Sequence, residues 1–133
     1  MNSCRAWYAC WQMQCCGDPF KIGDVVKWLV CEPHGEIRAV VDLGHLDYCY
    51  EAHDTEIQLF YFTGTVTSIK GLFEQYIQSE DDLRFWFPTK GELIDIPSAD
   101  GWEEPKGDLE IIGYIVELEN CSIEPMKKKS PSQ

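Results

Sequence analysis

Leu59-Phe60-Tyr61-Phe62-Thr63-Gly64-Thr65-Val66-Thr67-Ser68-Ile69 is the most informative stretch of the chain for its fold. Aromatic and β-branched residues fill it, and Thr, Val and Ile alternate along its second half. That pattern suits a strand buried on one face. Gly64 interrupts it, which predicts a bulge or sharp bend of the kind that curves a sheet.

Outward from this strand the chain reads as further strands and turns. Upstream, Val25 to Cys31 is an apolar run entered through Gly23-Asp24, a turn feeding a strand. Arg5 to Trp11 places Trp7, Ala9 and Trp11 on one face and reads as another strand. Cys15-Cys16-Gly17-Asp18-Pro19 is turn chemistry. Downstream, Leu72 to Ile77 reads as a strand or a helical turn, and Leu83 to Phe87 as a short aromatic strand ending at Pro88. Asp95 to Gly107 reads as loop, and Leu109 to Leu118 as a long closing strand. Between Glu36 and His53, Ile37, Val40, Val41 and Gly44 have helical spacing, as do Leu46, Tyr50 and His53. The fold class expected is mainly β: a small barrel or strongly curved antiparallel sheet of about five to six strands with a short helical insertion. One domain over residues 1–125 is expected, followed by a disordered Lys/Ser/Pro tail over 126–133.

Composition narrows the function classes. The chain has 133 residues, is 44% hydrophobic and carries a net charge of −12. Three of its 11 basic residues sit together at Lys127, Lys128 and Lys129, so the preceding residues hold 23 acids against 8 bases. Such a surface repels phosphate backbones, and nucleic-acid binding is not expected. It suits solubility, or docking of a basic protein partner. No apolar run approaches the roughly 18–20 residues that cross a bilayer. The first residues lack the pattern of a signal peptide, so no membrane and a cytoplasmic location are expected. The seven cysteines are then expected as thiols or metal ligands.

The block Trp11-Gln12-Met13-Gln14-Cys15-Cys16-Gly17-Asp18-Pro19-Phe20, followed by Gly23-Asp24-Val25-Val26-Lys27-Trp28, resembles a family of small bacterial proteins, frequent in actinomycetes, catalogued as a domain of unknown function. Tyr50-Glu51-Ala52-His53, Gly64-Thr65-Val66-Thr67-Ser68-Ile69 and Gly113-Tyr114-Ile115-Val116-Glu117-Leu118 extend the resemblance over most of the chain. Many members carry two adjacent histidines followed by glycine where this chain has Ala52-His53-Asp54. The resemblance implies a common fold unit and no particular activity.

Four groups of residues are candidates for chemistry. Cys15, Cys16 and His53 offer two sulfurs and an imidazole, the donors a zinc ion takes. Cys10, Cys31 and Cys49 are further donors that such a site would draw on. Adjacent cysteines usually point apart, so a tight structural turn is the competing reading, and a thiol activated by His53 is a third. His34 reads as exposed in a loop, and His45 as facing solvent or ending a helix. Asp81-Asp82 and Glu103-Glu104 read as solvated acid pairs. Most tryptophans read as core, but Trp102 lies in the polar loop Asp100-Gly101-Trp102-Glu103-Glu104 and is a candidate ligand or partner anchor. No phosphate loop, dinucleotide glycine pattern or serine elbow is present. The function expected is therefore a small acidic intracellular binding or interaction module without catalysis or cofactor. The alternative is a zinc-binding or thiol-dependent enzyme built on Cys15, Cys16 and His53.

Overall fold

A computed structural model describes residues 2–33, 39–54 and 56–127. His34 and the C-terminal tail beyond Lys127 lie outside these residues, as does the start of the expected helical stretch. The long alternating segments form β5 (Phe60–Gln78) and β8 (Glu110–Pro125), which pair antiparallel along most of their length. The first half of β5 takes β3 (Val25–Cys31) on its other edge. The second half takes β6 (Trp86–Asp95) there. β8 also pairs with β1 (Cys4–Ala9), β1 pairs in parallel with β4 (Tyr48–Tyr50), and β4 pairs with β3. The sheet order β3-β4-β1-β8-β5-β6 is thus closed into a ring of hydrogen bonds by the β3–β5 pairing. A second, two-stranded sheet joins β2 (Phe20–Lys21) to β7 (Ser98–Ala99).

The mainly β class and the curvature follow from the residues that suggested them. The register of β5 against β8 shifts between Thr63 and Thr65, around Gly64. Alternation sends Val26, Trp28 and Val30 of β3 inward, where they meet Ala6, Tyr8, Phe62, Val66, Tyr114 and Val116. A second cluster, Trp7, Leu43, Leu72 and Ile115, sits outside this core, packed by Ala39, Val41 and Leu46 of the segment before β4. Among the described residues no helix is long and apolar enough to cross a membrane.

The single described helix, α1 (Cys10–Cys16), is not where the spacing placed one. Residues 39–54 contain no helix, and Tyr48–Tyr50 is a strand. Its backbone is taken up by partners on both sides, β1 and β3, which outweighs a local 3.6-residue period. Conversely, the alternation of Trp7, Ala9 and Trp11 stops at Ala9, where the chain turns into α1. That helix has no side-chain cap and no acidic residue in its first turn. Burial of Cys10, Gln12 and Met13 holds it instead. β6 also runs through Pro88 rather than stopping there. Pro88 needs no ladder donor on this edge strand, and the register shifts beside it, between Gln75 and Tyr76.

Candidate metal centre

Helix α1 gathers the family-like block into one surface. Residues four apart share a helical face, so Trp11 lies with Cys15 and Gln12 with Cys16. The helix ends at Gly17, whose N–H donates to the Gln12 carbonyl at 2.9 Å. Both cysteine side chains are exposed at this end.

His53 reaches them from the turn after β4. Its Nε2 lies 2.9 Å from Cys16 Sγ and 3.4 Å from Cys15 Sγ, and the two sulfurs are 2.9 Å apart. Among the described residues this is the one cluster of three or more His, Cys, Asp or Glu donors close enough to share a cation. The adjacent cysteines therefore do not point apart. Cys10, Cys31 and Cys49 stay outside the cluster. Cys10 Sγ donates to the Gly101 carbonyl at 3.4 Å, and Cys31 faces Cys49 across β3 and β4.

The imidazole is oriented by Gln12, which is buried. The Gln12 side-chain Nε2 donates to the Tyr50 carbonyl at 3.2 Å, and its Oε1 accepts from the Ala52 N–H at 3.2 Å. Those two backbone groups fix which end of the amide is oxygen. Oε1 also lies 3.2 Å from His53 Nδ1, so Nδ1 must carry the proton and donate. In the neutral ring Nε2 then carries the lone pair that faces the sulfurs, the tautomer a metal ligand needs. Glu51 shapes the turn by accepting from the N–H groups of His53 and Asp54 at 2.9 and 3.2 Å. The Trp11 ring lies 5.1 Å from the imidazole.

The Cys16 thiol is held above its ordinary value, chiefly by its contact with the Cys15 sulfur. For Cys16 this direction is opposite to the lowered value that an activated nucleophile needs. From the sequence Trp11 reads as a strand residue, and neither it nor Gln12 is a candidate for the site. Their four-residue spacing from the cysteines signals the site only once α1 is known to be a helix.

The other candidates lie apart. Trp102 is 70% exposed on a loop pinned to α1: the Gly101 carbonyl accepts from Gln14 Nε2 at 2.7 Å, and the Gly101 N–H donates to the Tyr114 hydroxyl at 2.8 Å. That hydroxyl in turn donates to Glu103. His45 is paired with Asp47, and Asp82 with Arg84. Trp7 and Trp28 are core as expected, whereas Trp11 and Trp86 are exposed.

A family described as "Family of unknown function (DUF6578)" matches residues 2–120, and the chain belongs to it. No curated protein and no solved structure matches the chain.

Proposed function

We propose that this member of the DUF6578 family is a metal-binding domain that holds zinc through Cys15, Cys16 and His53 and leaves one coordination position open. The observation that carries this reading is the convergence of two sulfurs on an imidazole nitrogen whose lone pair is fixed by Gln12. Two thiolates neutralise a divalent ion, and the pair of sulfurs with one imidazole is a donor set zinc favours. The sulfurs stand closer than the roughly 3.8 Å separation that tetrahedral geometry with bonds near 2.3 Å requires, so they move apart on binding. Exposed side chains let them do so. A three-ligand surface site leaves the fourth position to water or an exogenous ligand, as open zinc sites do.

Elemental analysis of tag-free protein purified without chelator tests the reading. One zinc per chain is expected, together with sulfur-to-metal charge-transfer absorption after cobalt substitution. Cys15→Ser, Cys16→Ser and His53→Ala should each weaken cobalt binding at least tenfold. Protein that binds neither metal stoichiometrically, or that binds them equally well in all three variants, would exclude the site.

A second reading, docking of a basic partner, draws support from the 70% exposure of Trp102 and the acidic net charge. Comparison of partners captured by the natural protein and by Trp102→Ala tests it. Identical captured sets would count against it.

A further inference from the structure

Among the described residues, β6 pairs on one side only, with β5, and is an edge of the sheet. The Ile96 N–H donates to the Ile69 carbonyl at 3.0 Å, continuing the pairing of Asp95 with Lys70. Antiparallel ladders alternate residue by residue, so Ile94, Glu92 and Lys90 turn their backbone groups toward β5. Asp95, Leu93 and Gly91 turn theirs outward. The register skips Thr89, and beyond it Pro88 guards the start of the strand, because proline offers no donor to a neighbour. Past that guard the outward row of donors and acceptors is a template for another strand.

The side chains along this row suit a copy of the same strand. Lys90 and Glu92 flank Gly91 on one face, and both are exposed. Lys90 Nζ lies 2.7 Å from Asp108 Oδ2 and has further donors to give. Glu92 belongs to no ion pair among the described residues. On the other face a Cβ at Gly91 would lie 2.8 Å from Val40 Cγ2, and Val40 is itself 42% exposed. Phe85, Trp86 and Phe87, at the entry of the strand, are exposed as well. Glu80, Asp81 and Asp82 in the turn before them oppose docking on an anionic lipid surface.

We propose that β6 pairs antiparallel with β6 of a second copy of this chain, across a twofold axis at Gly91. Lys90 of each copy then faces Glu92 of the other, so the seam holds two opposite-charge pairs. Neighbouring registers lack this match. A twofold at Glu92 opposes two carboxylates, one at Lys90 opposes two ammonium groups, and one at Leu93 sets both charged residues against isoleucines. Gly91 at the axis leaves room for Val40 of each copy to meet over the seam. The antiparallel direction carries Phe85, Trp86 and Phe87 toward the Asp95 end of the other strand. The contact uses the same patch on both chains and closes at two copies.

Sedimentation equilibrium of the full chain tests this, with chelator present so that shared metal cannot link two copies. A monomer–dimer equilibrium is expected, with amide exchange at Gly91 and Leu93 slowing as concentration rises. Lys90→Glu and Glu92→Lys, both exposed changes, should each weaken the dimer about tenfold by opposing like charges. Mixing these two variants should restore association, since every seam pair is then again one acid and one base. A chain that stays monomeric up to millimolar concentration, a dimer that neither variant weakens, or a mixture no tighter than its components would overturn the proposal.

Discussion

Gln12 links the core to the candidate metal centre. It satisfies the Tyr50 carbonyl and the Ala52 N–H while setting the His53 tautomer. Gln12→Ala should therefore have two effects. Stability should fall by about 1–3 kcal/mol, because buried backbone groups lose their partners. Cobalt affinity should fall about 10–100-fold, the usual cost of losing a partner that orients a ligand. Gln12→Glu keeps the acceptor for Nδ1 and should retain more of the affinity. Cobalt competition and thermal unfolding of the two variants separate these effects, and equal affinities would refute the orienting role. Both thiols must lose protons to bind metal, and Cys16 holds its proton above the ordinary value. Apparent metal affinity should consequently rise as pH rises through the thiol range and collapse in acid. Metal titrations across pH, with proton release followed in parallel, check the sign. Cys15, Cys16 and His53 were legible as donors from residue type alone, whereas Gln12, an uncharged amide, carries no such mark.

The short helix α1 depends on space as much as on propensity. A Cβ at Gly17 would meet the Tyr8 hydroxyl and lie 2.9 Å from Met13 Cα. Its φ of −88° is ordinary, so the constraint is close approach and not handedness. Gly17→Ala should cost about 1–3 kcal/mol through overpacking, and adding Tyr8→Phe should recover part of it by removing the hydroxyl. Unfolding midpoints of the single and double variants test this; an unperturbed Gly17→Ala would show that the helix end can shift freely. The helix escaped the sequence reading because it spans seven residues without a cap and follows an alternating run. The reverse error between Glu36 and His53 has the same origin. Apolar spacing in a short segment does not distinguish a helix from a segment whose apolar residues pack over Trp7 and Leu72.

Half-buried thiols shape how the closed ring of strands responds to alkali. None of the seven cysteines is in a disulfide. The Cys4 thiol is pushed up to about 12, first by burial and then by its bond to Cys121, and Cys49 to about 11, by burial and then by Cys31 and Glu51. The ordinary value is 9.0. Below it both folded and unfolded chains hold these protons. Above it the unfolded chain releases them and the folded chain does not, so stability falls as pH rises from about 9 through 11–12. Denaturant unfolding on either side of pH 9 should show that decline, and Cys49→Ala should make it shallower; a stability independent of alkaline pH would contradict the assignment. The mainly β class, the register shift at Gly64 and the three donor residues were all present in local sequence, because strand alternation and donor chemistry are properties of neighbouring residues. Their meeting was not. Cys16 and His53 are 37 residues apart, and they converge because β4 pairs in parallel with β1, the strand that runs directly into α1. Such pairing is chosen by hydrogen bonds and packing between distant segments, which no local period encodes.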